Sequence, residues 1–216
     1  MVIKGILFDL DGVIVDTMHD HFVAWKAAFK DYGADIDKTE YYKLEGRRII
    51  QIAEILAEKY GIPKTEAEKI HDLKLKYAAT GKRAKFYEGV KELVSNLKTK
   101  GIKIGIVTAS VKGFLEEKVD KEFLDKFDVI LTGDMYEKGK PDPDPYIQGR
   151  LALGLEEEEC IVIENAPLGV KAAKAANMYC IAIESTLDKS YLGEADVILE
   201  KFGDLKTTDK IKKVLE

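Results

Sequence analysis

The N-terminal stretch Gly5-Ile6-Leu7-Phe8-Asp9-Leu10-Asp11-Gly12 joins an apolar run to two carboxylates that lie two residues apart. The apolar residues predict a short buried strand, and Gly12 lets the chain turn where that strand ends. In a parallel α/β sheet, ligands bind at the carboxyl ends of the strands. Two carboxylates this close resist joint ionisation unless a cation lies between them. Asp9 and Asp11 therefore predict a divalent metal site, and their hard oxygen ligands favour Mg²⁺.

Five further apolar runs of the β type follow this first run, and helical patterns separate most of them. Repetition of strand, helix and strand is typical of a parallel sheet that carries helices on both faces. We therefore predict an α/β fold with a Rossmann-like parallel sheet as its core. The apolar runs, including the first, span residues 2–8, 102–107, 128–132, 160–164, 179–183 and 196–199.

The segment 17–82 interrupts this alternation, because it has helical periodicity and no convincing strand. We interpret it as an all-α cap domain inserted over the site, with residues 1–16 and 83–216 forming the catalytic core domain. Hinges are expected in the two linkers, near residues 15–16 and 82–87. Three helices are expected in the cap, and the third is predicted to bury a face made of Ala67, Ile70, Leu73 and Tyr77.

The composition is that of a globular protein, with 46% hydrophobic and 34% charged residues and a formal net charge of -5. This charge gives no general reason to bind nucleic acid or a membrane surface, and no apolar run approaches the roughly 18 residues that a membrane helix needs. Each of the two cysteines, Cys160 and Cys180, lies near the start of an apolar run. We therefore expect buried thiols and a cytoplasmic location. No long apolar patch predicts an obligate partner, so a monomer is expected.

Three more elements of the chain place polar groups after a strand. Taken alone, each has an ordinary interpretation: Thr108 as a helix N-cap, Lys140 as a solvated surface side chain, and Glu164-Asn165 as a turn. Because their order and strand placement are shared with the Asp pair, together they favour phosphoryl transfer. One carboxylate can then act as a nucleophile while a second moves protons. The three elements are Thr108-Ala109-Ser110, Lys140-Pro141-Asp142-Pro143 and Glu164-Asn165.

In this order, and over essentially the whole chain, the four motifs resemble the haloacid dehalogenase superfamily, in particular its phosphatases and phosphomutases with a helical cap. The resemblance implies that Asp9 is the nucleophile and a Mg²⁺ ligand. It implies that Asp11 is the general acid/base and that its backbone carbonyl also binds Mg²⁺. Thr108 and the Ala109 N–H would bind the phosphoryl group, and Lys140 would bridge the nucleophile and the phosphate oxygens.

By the same resemblance, Glu164 and Asn165 complete the metal site, although Asn165 departs from the more usual Asp of the family. An amide oxygen can still contact Mg²⁺, directly or through water, but one negative charge is lost. Weaker metal binding or an altered choice of metal is therefore expected.

Other activities of this scaffold are less compatible with the motifs. A non-catalytic binding or regulatory protein is disfavoured because Asp9, Asp11 and Lys140 are all present. The dehalogenases lack the carboxylate of Asp11. Phosphonate-cleaving relatives need a Schiff-base Lys from the cap, and they stay open because the cap is rich in Lys.

The start of the predicted cap resembles β-phosphoglucomutase, in which a Thr, a His and a Trp stand at matching positions. The resemblance implies that Thr17, His21 and Trp25 face the substrate, with His21 hydrogen-bonding toward Asp11. The alternative is that His21 only caps or packs and that Trp25 belongs to the core.

The groups that would hold a second phosphate match the mutase less well. Glu45 stands at its Lys position and Ile49 at its Arg position. Arg47 or Arg48 could bind a phosphate from a shifted place, since an Arg fork suits that role, or could be a solvated pair at a helix start. Ser110 matches the residue that the mutase places near the distal phosphate, and Lys112 stands where the mutase has an Asn.

The motifs together predict a Mg²⁺-dependent phosphatase that hydrolyses a small phosphorylated metabolite through an aspartyl-phosphate intermediate. A sugar phosphate is the favoured substrate. The alternative is a β-phosphoglucomutase that interconverts β-glucose 1-phosphate and glucose 6-phosphate. Both would act on a small-molecule phosphate ester.

Overall fold

A single six-stranded sheet, parallel at every pairing, forms the centre of the computed structural model, which describes residues 2–79 and 82–216. The strands are β1 (Gly5–Phe8), β2 (Lys103–Val107), β3 (Val129–Leu131), β4 (Cys160–Glu164), β5 (Tyr179–Ile183) and β6 (Val197–Leu199). They lie in the order β3-β2-β1-β4-β5-β6. Every predicted apolar run contains one of these strands, so the predicted Rossmann-like α/β fold is confirmed.

The helices divide into a group between β1 and β2 that ends before residue 79 and a group that covers the sheet. The first group is α1 (Met18–Lys30), α2 (Lys38–Tyr42), α3 (Ile49–Lys59) and α4 (Ala67–Ala78). The second is α5 (Val90–Thr99), α6 (Lys112–Lys118), α7 (Lys121–Leu124), α8 (Asp144–Leu153), α9 (Pro167–Ala175) and α10 (Asp209–Leu215). Among the described residues, no helix combines the length and apolar character needed to cross a membrane.

Two apolar layers cover the two faces of the sheet, and β1 contributes to both. Ile6 and Phe8 pack into one layer, while Leu7 packs into the other. Alternation of this kind follows from the two-residue period of a strand. Because both faces are buried, the sequence of β1 is a continuous apolar run, and Asp9 is the first residue beyond it.

The helices α1 to α4 pack around an apolar cluster of their own. Trp25, Phe29, Leu56 and Ile70 lie in it, and Leu187 joins it from the segment that follows β5. Because this cluster is separate from the two layers on the sheet, the four helices can form a cap of their own. This agrees with the predicted fold class, in which an all-α cap is inserted into the sheet domain.

The prediction of which α4 residues are buried is partly wrong. Tyr77 is 40% exposed, and the buried positions include Lys74, which is only 3% exposed. The reason is that this face of the helix borders the cavity, where Lys74 Nζ lies 3.2 Å from His21 Nδ1 and 5.8 Å from the ring centroids of Trp25 and Phe114. The buried stripe consists of Ala67, Ile70, Lys74 and Ala78.

The two predicted linkers run side by side. Val15 and Phe86 form an isolated antiparallel bridge, and the N–H of Asp16 donates to the carbonyl of Lys85 at 2.8 Å. The chain therefore enters and leaves the helical segment through two hydrogen-bonded backbones. The domain boundaries themselves stay a prediction, and they include positions outside the described residues, namely residues 1, 80 and 81.

Candidate functional site

Three adjacent central strands, β2, β1 and β4, end at one edge of the sheet, where the strand order changes direction. Asp9 follows β1, Thr108 follows β2, and Glu164 is the last residue of β4. Lys140, from the loop before α8, reaches the same place and is completely buried. The motifs that are far apart in sequence therefore meet at the kind of crevice in which α/β proteins bind ligands.

The ammonium group of Lys140 connects the first and the last of these motifs. Its Nζ donates to Asp9 Oδ1 at 2.7 Å, to Glu164 Oε1 at 2.6 Å and to the Val107 carbonyl at 3.1 Å. Burial disfavours the ammonium charge, but Asp9 and Glu164 outweigh burial and hold the pKa of Lys140 above its ordinary value. Burial raises the pKa of Asp9 to about 7 even though Lys140 opposes the rise. Lys140 is therefore a fixed cation beside Asp9.

The carboxylate of Glu164 has a hydrogen-bond donor at every side. Its Oε1 accepts from Lys140 and, at 2.7 Å, from the Tyr146 hydroxyl. Its Oε2 accepts from the backbone N–H groups of Asn165 at 2.8 Å and Ala166 at 3.0 Å. In this arrangement Glu164 positions Lys140, and the predicted role of metal ligand would require it to exchange one of these donors.

Asp11 is held by neutral donors from both the cap and the sheet. Its Oδ1 accepts from the Thr17 hydroxyl and lies 3.1 Å from His21 Nε2. Its Oδ2 accepts from the hydroxyls of Ser110 at 2.8 Å and Thr108 at 3.5 Å. Burial would raise the pKa of Asp11, but the hydrogen bonds from His21, Thr17 and Ser110 favour the ionised carboxylate and hold its pKa below the usual range. Asp11 is therefore an ionised acceptor in this structure.

A buried lysine fixes the protonation state of His21. Lys74 Nζ lies 3.2 Å from His21 Nδ1, and an ammonium has only hydrogens to offer. Nδ1 must then be the unprotonated nitrogen, so Nε2 carries the hydrogen that points to Asp11. Burial, and then the charge of Lys74, lower the pKa of His21, which agrees with a neutral ring. The contribution of His21 to Asp11 is thus a hydrogen bond rather than a charge.

The predicted substrate residues do not all border the same cavity between cap and core. Trp25, Arg47, Ala109 and Ser110 line it together with Asp9, Asp11, Glu45, Ile49 and Lys74. Thr17 contacts Asp11 instead. Arg48 lies outside this lining, because its Nη1 donates to the Glu137 carbonyl at 3.4 Å. Of the two arginines, only Arg47 is therefore placed to meet a ligand, and its Nε has no hydrogen-bond partner among the described residues.

Asn165 has the property expected of a metal-binding amide. Its side-chain Oδ1 is buried and has no hydrogen-bond partner in the part of the chain that the structure describes. A buried carbonyl oxygen without a partner costs free energy, and a cation would relieve that cost. Within residues 2–79 and 82–216, no three His, Cys, Asp or Glu side chains form a metal cluster. The set expected from the sequence is Asp9, the Asp11 carbonyl, Glu164 and the amide oxygen of Asn165, and such hard oxygens fit Mg²⁺.

Three contacts of the site were not predicted from the sequence. Tyr146 donates to Glu164, Lys74 to His21, and Thr186 contacts the side chain of Asn165. Tyr146 lies in a segment whose helical pattern suggested only packing. Thr186 had a usable signal, because it follows the apolar run 179–183 and so lies at the strand edge that carries the other motifs.

Comparisons with known proteins agree with this geometry. Residues 6–183 match the family model of haloacid dehalogenase-like hydrolases. Validoxylamine A 7'-phosphate phosphatase of Streptomyces hygroscopicus subsp. limoneus is 30% identical over 209 residues, which cover 94% of this chain and 96% of that protein. Beta-phosphoglucomutase of Bacillus subtilis (strain 168) is 29% identical over 212 residues, covering 94% and 91%. The crystal structure of beta-phosphoglucomutase from Clostridium difficile matches with a TM-score of 0.80 and 27% identity, covering 99% and 97% of the two chains.

Proposed function

Because the chain belongs to the haloacid dehalogenase-like hydrolase family, it is a phosphoryl-transfer enzyme, and we propose that it is a Mg²⁺-dependent phosphatase of a small sugar phosphate. The observation that carries the proposal is the placement of Asp9 beside a fixed cation, Lys140, in the cavity that the separately held carboxylate of Asp11 also lines. A relative named as a phosphatase of a phosphate ester supports the substrate class.

In the first half of the proposed reaction, a carboxylate oxygen of Asp9 attacks the phosphorus atom. The bond from phosphorus to the ester oxygen breaks, and Asp11 gives that oxygen a proton, so an alcohol leaves. In the second half, Asp11 takes a proton from water while the water oxygen attacks the phosphorus. The bond to Asp9 breaks, phosphate leaves, and both carboxylates return to their initial state.

The hydrogen bonds of Asp11 suit the second half in particular. As an ionised acceptor, Asp11 has the form that the water step needs. The first half requires a proton on Asp11 when the ester leaves. The same side chain can serve both halves because its donors, the hydroxyls of Thr17 and Ser110 and the ring of His21, are neutral.

The remaining groups would neutralise the phosphoryl oxygens. Lys140 supplies a charge, and the Thr108 hydroxyl and the Ala109 N–H supply hydrogen bonds. Asp9, the carbonyl of Asp11 and Asn165 Oδ1 would hold Mg²⁺. When bound, the metal supplies a second positive charge next to the oxygens of the phosphoryl group.

Hydrolysis is favoured over the mutase alternative by the cap side of the cavity. Glu45 and Ile49 stand where the mutase has a Lys and an Arg, so the cap contributes Arg47 and Lys74 to the lining, and Lys74 is already engaged with His21. Lys112 is turned away from the cavity, 3.8 Å from Glu116. The contact of His21 with Asp11 is the observation that keeps β-phosphoglucomutase as the second candidate, because the resemblance to that enzyme predicts it.

One assay separates the two candidates. The enzyme is given β-glucose 1-phosphate, a trace of β-glucose 1,6-bisphosphate and Mg²⁺, and both free phosphate and glucose 6-phosphate are followed. We expect release of phosphate, and a broader set of phosphate monoesters then identifies the preferred substrate. Isomerisation without phosphate release would contradict the phosphatase. Asp9→Asn, verified as folded by circular dichroism, should abolish turnover in either case, and full activity would refute Asp9 as the nucleophile.

We also propose that the protein is a monomer and acts in the cytoplasm. The support is its few cysteines and the lack of an apolar patch in the sequence that would need a partner. Size-exclusion chromatography with light scattering tests the monomer, and a mass of twice 24.2 kDa would contradict it.

A further inference from the structure

We infer that Thr186 is a positioning residue for the metal site, because it orients the side-chain amide of Asn165 so that the oxygen stays free for Mg²⁺. This inference rests on the proposed function, since it presupposes the Mg²⁺ site. It concerns the position at which this chain departs from its family.

The hydroxyl of Thr186 makes two contacts with Asn165, and they require opposite roles. Its Oγ1 donates to the backbone carbonyl of Asn165 at 3.4 Å and accepts from Asn165 Nδ2 at 3.1 Å. A hydroxyl has a single hydrogen, and here the carbonyl receives it. A lone pair therefore faces the side chain, and only the NH₂ end of the amide can meet it favourably.

The turn after β1 restricts the amide further. A Cβ built on Gly12 would lie 2.2 Å from Asn165 Nδ2, so the amide packs directly against the backbone of that turn. Asn165 is only 1% exposed. With Nδ2 held between Gly12 and Thr186, the oxygen must point to the other side of the amide. That oxygen is the one without a partner among the described residues.

The contact between Thr186 and residue 165 suits a neutral amide better than a carboxylate. An Asp at position 165 would turn a second carboxylate oxygen toward the lone pair of Thr186, unless the hydroxyl gave up its contact with the backbone carbonyl. Groups that orient a metal ligand through a hydrogen bond commonly determine the metal affinity. The Thr186 hydroxyl therefore has a role here that it would lose beside a carboxylate.

Calorimetric titration of the full-length protein with MgCl₂, without substrate, measures the affinity directly. Thr186→Val removes the hydroxyl and keeps the shape, and we expect it to weaken Mg²⁺ binding by about tenfold or more. Thr186→Ser keeps the hydroxyl and should bind like the wild type. Thr207→Val is the matched control, because it removes a hydroxyl that only donates to the Asp204 carbonyl.

A double-mutant cycle with Asn165→Ala distinguishes an effect that acts through the amide from a general loss of folding. If Thr186 acts through the amide, Thr186→Val should have no further effect on Mg²⁺ affinity once Asn165 is Ala. An additional loss in the double variant would overturn the inference, as would Mg²⁺ binding by Thr186→Val at the wild-type affinity. A wild-type protein that binds no Mg²⁺ would overturn the Mg²⁺-dependent function and the inference together.

Discussion

At the scale of single residues, the two carboxylates of the Asp pair are held in different ways. Asp9 has a charged donor, Lys140, whereas Asp11 accepts hydrogen bonds from neutral hydroxyls and a neutral imidazole. Lys140 favours the ionised form that a nucleophile needs, against the burial that raises the pKa of Asp9 to about 7. Neutral partners can rearrange when a proton arrives, which suits a group that gives and takes protons. The hydrogen-bond partners of Asp9 and Asp11 therefore suit the different roles that are proposed for the two carboxylates.

Glu45 gives a prediction about pH. This half-buried carboxyl group lines the cavity, and burial, then the charge of Asp11, raise its pKa to about 8 while Lys74 opposes the rise. Between the ordinary glutamate pKa and about 8, the folded protein retains a proton that the unfolded chain has released. The contribution of Glu45 to stability therefore falls as the pH increases through this window.

We expect Glu45→Gln, which cannot ionise, to be stabilised relative to the wild type by an amount that increases from pH 5 to pH 8. Urea unfolding at several pH values measures the difference, and Glu92→Gln on the exposed side of α5 is the surface control. A difference that is constant with pH, or that decreases, would show that Glu45 is ionised throughout this range.

At the scale of elements, a glycine in α9 controls how Glu164 is placed. A Cβ built on Gly169 would lie 1.7 Å from Glu164 Oε1, the oxygen that also binds Lys140. Replacing glycine by alanine inside a helix ordinarily stabilises a protein by about 0.5–1 kcal/mol. Here the added methyl group must displace a buried, fully bonded carboxylate.

We therefore expect Gly169→Ala to lower the free energy of unfolding by about 2 kcal/mol, and to reduce kcat because Lys140 moves with Glu164. The control is Gly113→Ala in α6, where a Cβ meets nothing within 4 Å. That variant should be neutral or slightly stabilised. Urea denaturation and steady-state kinetics measure both quantities, and a Gly169→Ala protein as stable as the control would rule out the close approach to Glu164.

The secondary-structure elements also show which features could be predicted from the sequence and which could not. The strands could be predicted because each is a run of apolar residues, and the motifs could be placed because parallel strands end together. The inner face of α4 could not, because apolar periodicity does not reveal that Lys74 is buried for its charge. Tyr146 was missed for another reason: its partner, Glu164, lies many residues away in the sequence, and only the fold brings the two close.

At the scale of the whole molecule, the cap and the sheet meet at Asp11, the proposed acid/base. His21 and Lys74 belong to α1 and α4, while Asp11 belongs to the turn after β1. Any movement of the cap about the paired linkers at Val15 and Phe86 would separate His21 from Asp11. Opening the cavity and altering the hydrogen bonds of the acid/base are therefore one event, which suits an enzyme that closes on its substrate before reacting.

The reactivity of the two cysteines can test whether the sheet unfolds as one unit, because they lie on neighbouring strands in the same apolar layer. Cys160 in β4 and Cys180 in β5 are free thiols with no exposed surface. Burial raises the pKa of Cys160 to about 11 and raises that of Cys180 well above its usual value. Thiol reagents attack the thiolate, so both low access and a high pKa protect the folded protein.

We expect neither cysteine to react with a chromogenic disulfide reagent at pH 8 in the native protein, and both to react at once in 6 M guanidinium chloride. Because both thiols are buried in the apolar layer on one face of the sheet, they become accessible only when that layer opens. The two thiols should therefore react at the same slow rate, equal to the rate of global unfolding. Cys160→Ala and Cys180→Ala separate the two contributions. If one thiol reacted faster than the protein unfolds, that edge of the sheet would open locally, and the central sheet that carries the Asp pair would not be a single cooperative unit.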